Sequence, residues 1–226
     1  MRFLHALEWL LLPPCGACGG MRAPGASHGL CARCARDWPA RDPSLGSVGA
    51  LPRGLAALHC ARRYAGPLRR ILLQAKEQRQ SPLVPLLQRV LAETVRGPRL
   101  DPGAICVVPP SRRRRCSRWH LAEVLARGLR DELGWPLGPR LLRVEERLPQ
   151  TALGGPARRR NLVRSFRAVP LRLGEVPDRV WVIDDVVTTG ATLRECARSL
   201  HVLGVRHVGG LAVARAPEPA RGLPKS

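Results

Sequence analysis

The β-forming run Val180-Trp181-Val182-Ile183 leads into two adjacent carboxylates, Asp184 and Asp185. Val186, Val187 and the small-residue stretch Thr188-Thr189-Gly190-Ala191-Thr192 follow, and a helical pattern starts at Leu193. Four apolar residues bounded this way read as a strand buried on both faces, with the acidic pair where it ends. A loop of small residues turns several backbone N–H groups onto one anion, and the dipole of the following helix favours the negative charge. Carboxylates accept hydrogen bonds from sugar hydroxyls or hold a divalent cation. One strand end thus combines a phosphate cradle with a diol clamp, which suits a ribose 5-phosphate. The plainer alternative is a strand–turn–helix with a solvated acidic turn.

A second constellation lies near the N-terminus. Cys15-x-x-Cys18 is followed after twelve residues by Cys31-x-x-Cys34. Two such knuckles place four thiolates in a tetrahedron around one structural zinc ion. In a reducing cytosol, metal binding is favoured over disulfides. The other readings are two redox-active pairs or loose thiols. A module this short lacks a core of its own, so metal is expected to supply its folding energy. His28 lies between the knuckles but is not needed as a ligand, and Cys60, Cys106, Cys116 and Cys196 lack partner spacing and read as buried or incidental thiols.

The elements that must position these groups follow from periodicity. Phe3, Leu4, Leu7, Leu10 and Leu11 recur at helical spacing, and Glu8 interrupts the apolar stretch, so residues 1–12 read as an amphipathic helix rather than an export signal. Residues 35–55, rich in Pro, Gly, Ala and Ser, read as a linker. A short strand is predicted within 55–64, helices over 68–76 and 82–95, a buried strand over 104–108 and an amphipathic helix over 121–133. Residues 139–165 are basic and glycine-punctuated, with only a weak strand signal at 141–144. The strand at 180–183, the helix at 193–203 and a closing strand at 208–213 complete the pattern, and the tail after Arg215 reads as disordered. Alternating strands and helices predict an α/β fold, a parallel sheet flanked by helices. The division expected is residues 1–50 for the helix, zinc module and linker, 55–215 for the main domain and 216–226 for the tail.

In such a sheet, ligands bind at the carboxyl ends of the strands. The strand at 104–108 ends there too, and its continuation Pro109-Pro110-Ser111 carries Arg112 to Arg115 to the same rim. This run fits a pyrophosphate site, a solvated basic loop or a nucleic-acid contact equally well. The chain of 226 residues carries 38 basic against 17 acidic residues, a net charge of +21. Lysine occurs only at 76 and 225, so arginine supplies nearly all the positive charge. A field of this sign favours polyanions: nucleic acid, phosphorylated ligands or an anionic membrane surface. No apolar run approaches the ~20 residues of a membrane span.

The stretch from Val180 to Leu193 resembles the phosphoribosyl-pyrophosphate (PRPP) signature of type I phosphoribosyltransferases. The whole chain resembles the ComF family, a four-cysteine zinc module fused to a phosphoribosyltransferase-like domain. Beyond the knuckles and the signature, the resemblance rests on Tyr64-Ala65-Gly66 with Lys76 after it, Val108-Pro109 and Trp119-His120-Leu121-Ala122-Glu123. It continues through Pro149-Gln150-Thr151 and Arg158-x-x-Asn161 followed by Phe166. Where the family usually carries Arg-Gly-Phe-Asn-Gln, this chain has Arg118-Trp119-His120-Leu121; the usual Leu-Lys-Tyr is Ala75-Lys76-Glu77.

The resemblance implies that Asp184 and Asp185 face the ribose hydroxyls, that Thr188, Thr189, Gly190, Ala191 and Thr192 wrap the 5-phosphate, and that Lys76 and Arg158 assist. Arg158 and Asn161 either belong to the lid that covers PRPP in related enzymes or make helix-end or loop hydrogen bonds, and the two readings weigh about equally. It also implies Mg²⁺ alongside PRPP if there is turnover, a cytoplasmic location and a part in DNA uptake during natural transformation. Three functions compete: a PRPP-dependent transferase, a module handling single-stranded DNA together with DNA-uptake proteins, and a PRPP sensor without turnover. Trp119, flanked by basic residues, serves either base stacking or the core.

Overall fold

Val180, Trp181, Val182 and Ile183 are each no more than 3% exposed, as a strand covered on both faces requires. The computed structural model describes residues 13–22, 29–46, 51–77, 82–96, 100–110, 119–144, 165–172 and 175–217. A short helix α1 (Ala32–Arg36) and a 3₁₀ turn at Pro43–Gly46 precede β1 (Ala57–Arg63), α2 (Gly66–Glu77), α3 (Val84–Arg96), β2 (Ala104–Val107) and α4 (Leu121–Leu133). Then come β3 (Arg140–Arg143), β4 (Phe166–Val169), β5 (Arg179–Val187), α5 (Ala191–Leu203) and β6 (His207–Arg215). The main sheet has the order β1-β6-β5-β2, and every pair in it is parallel. β3 and β4 form a separate antiparallel ribbon with Arg140 opposite Val169.

The pleat divides the core in two. Trp181 and Ile183 of β5 pack with Leu68, Ile71, Leu72, Leu87, Leu91 and Leu125 of α2, α3 and α4. Val180 and Val182 face the other way, against Leu193, Cys196 and Leu200 of α5 and Phe166 of the ribbon. Helices therefore cover both faces, as the alternating pattern predicts. The Trp181 ring is accommodated by Gly209 on β6, where a Cβ would lie 2.2 Å from the indole. Its N–H donates to the Asp101 carbonyl at 3.1 Å, and the ring stacks on Trp135 at 6.3 Å.

The structure departs from the periodicity reading in several places, among them the strand β4. β5 runs on through Asp184 and Asp185 to Val187, because β6 is long enough to keep pairing: Asp184 is in register with Ala212 and Val187 with Arg215. Part of the segment read as a linker is tied down. Arg41 bridges Arg62, Leu45 is buried, and Arg215 donates to the Leu45 carbonyl at 2.9 Å. The cysteine knuckles are not packed apart from the main core either. Cys15, Ala17, Leu30 and Cys34 belong to the same apolar cluster as Leu68, Ile71 and Leu83. Among the described residues, no helix is long and apolar enough to cross a membrane.

Candidate functional site

The carboxyl ends of β5 and β2 form one rim, with Val107 in register with Ile183 and the Val108 amide donating to the Ile183 carbonyl at 3.1 Å. Successive strand residues point to opposite faces, so the two carboxylates diverge. Asp185 points to the face of α2, where Lys76 Nζ lies 2.8 Å from its Oδ2; the two side chains are 17% and 15% exposed. Lys76 sits in the last turn of α2, where a cation is favoured by the helix dipole. Asp184 points to the α5 face, and its Oδ1 accepts the Asp185 backbone N–H at 2.8 Å. Burial and the neighbouring Asp185 charge push the Asp184 carboxyl up to about 7, while the hydrogen bond from the Asp185 amide and the charge of Lys76 pull it back.

Past the strand, Thr188 and Thr189 are exposed and Gly190 is buried. Gly190 caps α5 with φ of 71°, a left-handed conformation that glycine adopts without strain. A Cβ there would also lie 2.5 Å from Pro52 Cγ. Pro52 thus packs against the loop, and His201 of α5 holds nearby Gly54 through its carbonyl at 2.7 Å. Residues 184 and 186–193 line a small cleft whose floor is the N-terminus of α5. Asp184, Thr188, Thr189, Gly190, Ala191 and Thr192 thus line one cleft, while Asp185 with Lys76 sits at the same strand end on the opposite face of the sheet. Arg158, Asn161, the basic run at 112–115, Pro149-Gln150-Thr151, the N-terminal stretch 1–12 and the tail beyond 217 lie outside the described residues. Trp119 takes a packing role: its indole N–H donates to the Ala75 carbonyl at 2.6 Å, one residue before Lys76, and its ring packs on the core.

The four knuckle cysteines converge as well. The sulfurs of Cys15, Cys18, Cys31 and Cys34 all lie within 4.8 Å of one another, and Cys18 and Cys31 are 3.8 Å apart. A tetrahedral site with metal–sulfur bonds of about 2.3 Å has sulfur–sulfur edges of about 3.8 Å. The donor set therefore fits one metal ion, and the thiols are free rather than disulfide-bonded. The Cys31 amide donates to Cys15 Sγ at 3.3 Å. Burial pushes the thiols of Cys60 and Cys106 up to about 12, and that of Cys196 upward as well, so these three are inert at neutral pH.

Spacing did not point to two residues that tie distant parts of the chain together. Arg70, on the helix that carries Lys76, reaches both knuckles: Nε donates to the Ala17 carbonyl at 2.9 Å, and Nη2 lies 3.7 Å from Cys34 Sγ. His201 is the other. Neither belongs to a motif, and only the fold brings them to their partners.

No family model matches the chain. It is 31% identical over 212 residues to competence protein F of Haemophilus influenzae, an alignment covering 90% of this chain and 85% of that protein. It is 32% identical over 210 residues to DNA utilization protein YhgH of Salmonella typhi, covering 82% of this chain and 90% of that one. Among solved structures it aligns with orotate phosphoribosyltransferase from Aeropyrum pernix at a TM-score of 0.38 and 20% identity, over 67% of this chain and 78% of that chain. Purine phosphoribosyltransferase from Pyrococcus horikoshii aligns at a TM-score of 0.32 and 18% identity, over 63% and 93%. Nearly a third of the residues are shared with competence protein F across most of both lengths, and the four knuckle cysteines stand together: the chain belongs to the competence protein F (ComF) family.

Proposed function

We propose that the protein binds PRPP, or a closely related ribose 5-phosphate, at the rim built by Asp184, Asp185, Lys76 and the Thr188–Thr192 loop, and that it does so in support of DNA uptake. The observation that carries this reading is the meeting of Lys76 and Asp185 at 2.8 Å on the strand end that leads through the loop into the glycine-capped N-terminus of α5. A cation, two carboxylates and a helix N-terminus on one strand end match the parts of a sugar phosphate: hydroxyls for the carboxylates, phosphate for the amides. Lys76 neutralises Asp185 until a ligand arrives, then serves either the carboxylate or a phosphate oxygen. Mg²⁺, if it accompanies PRPP, neutralises the pyrophosphate; Asp184 and Asp185 orient the ribose. In this reading Arg158 belongs to the covering segment. The ion held by the four cysteines is zinc, matching an all-sulfur tetrahedral donor set. The part in DNA uptake follows from kinship with proteins named for competence and DNA utilization. Binding without turnover satisfies every element of this reading.

Hydrogen exchange with ribose 5-phosphate as the probe tests it. Amides over 186–193 are expected to exchange more slowly when the ligand is present. Unchanged exchange there at saturating ligand sinks the assignment.

A further inference from the structure

Arg70 joins the two halves of the molecule that carry chemistry. Its guanidinium spans both knuckles, with Nε 2.9 Å from the Ala17 carbonyl inside the first and Nη2 3.7 Å from Cys34 Sγ in the second. Ala17 and Cys34 are 1% and 2% exposed, so both contacts end on groups held firmly in the core. Four thiolates carry more negative charge than a divalent ion cancels, and a guanidinium beside them offsets the excess. A hydrogen bond to a metal-bound sulfur also fixes the ligand's orientation and tunes its donor strength. The planar fork of arginine reaches two acceptors at once, which a lysine ammonium at the end of one flexible stem does not. Arg70 stands six residues before Lys76 on α2, about 9 Å along the axis at ~1.5 Å per residue. The same helix therefore ends on Asp185 at 2.8 Å.

We propose that Arg70 is a positioning residue for the metal, a donor to the metal-binding knuckles that ties them to α2, so that metal loading holds the helix that presents Lys76 to Asp185. The clamp reaches past the ligand-binding reading above, and its test uses no sugar phosphate, so the two fail separately.

The test uses the full chain loaded with Co²⁺, whose thiolate charge-transfer band reports on the sulfurs. Arg70→Met is expected to retain about one ion per chain. Its band is expected to shift, and it should lose the ion to a chelator about tenfold faster than the unaltered protein. Arg70→Lys, which keeps the charge but not the fork, is expected to fall between. A band and a release rate unchanged in Arg70→Met overturn the proposal; if that variant does not fold, Arg70→Lys carries the test on the same two readouts. The link to α2 is read in the unaltered protein by hydrogen exchange. Chelating the metal should accelerate amides over 66–77 while those of Leu121–Leu133 stay protected. No acceleration over 66–77, or equal acceleration in both helices, overturns the link.

Discussion

Asp184 carries a carboxyl whose proton affinity is strongly altered by its surroundings. Burial, then the charge of Asp185, raises its carboxyl to about 7, against about 3.9 in an unfolded chain. A raised carboxyl binds more protons folded than unfolded between those values. Its contribution is therefore present below pH ~4 and is lost as pH rises through ~7. Asp184→Asn removes the charge and keeps an oxygen to accept the Asp185 amide. The variant is expected to melt higher than the unaltered protein at pH 8, by several degrees, and at the same temperature at pH 3.5. Equal melting temperatures at both pH values, measured by calorimetry, would show that the carboxylate is not strained.

The residues with a spacing rule were legible from the chain alone. The knuckles are read from Cys-x-x-Cys, and the acidic pair from its place after a β-forming run. Lys76 came from the resemblance, and α2 delivers it to Asp185. Arg70 was not legible, because it meets Ala17 across 53 positions and no local pattern joins a helical arginine to a knuckle.

Among the elements, the loop between β5 and α5 is the one whose backbone geometry is most demanding. Gly190 has φ of 71° and no room for a Cβ beside Pro52. Alanine there costs about 1–2 kcal/mol for the left-handed backbone alone, with the collision with Pro52 added. Gly190→Ala is therefore expected to lower the urea midpoint by a cost of about 2 kcal/mol or more and to displace the loop amides. A midpoint equal to that of the unaltered protein would mean that the turn tolerates a side chain. The core helices and strands were legible because their apolar residues keep a clean period; α4 has the bounds expected, Leu121–Leu133. β4 gives no periodic signal because Phe166–Val169 is only four residues long, carries Arg167, and pairs with β3 across 22 intervening positions. The end of β5 is not legible in the sequence because polar Asp184 and Asp185 break the hydrophobic run while their backbones go on pairing.

On the scale of the whole molecule, the α/β architecture was readable from alternation, whereas the integration of the knuckles was not. Their shared core with α2 depends on Leu83, which lies far from them in sequence and is 5% exposed. The net charge of +21 gives the second functional reading its basis. If the protein also handles single-stranded DNA, affinity is expected to fall about tenfold between 50 and 200 mM salt. That is the loss for two to three neutralised phosphates at a slope of about −0.7 each. Affinity that is flat with salt, or no binding in dilute salt, removes that reading.

The ribose-phosphate site is the central claim, and calorimetric titration of PRPP with Mg²⁺ into the zinc-loaded protein tests it most directly, with Asp184→Asn alongside. The expected result is saturable binding at about one ligand per chain, weakened at least tenfold by the substitution, since one well-placed hydrogen bond to a charged group contributes about 1.5–3 kcal/mol. No heat of binding in the unaltered protein, or equal affinity in the variant, would contradict it.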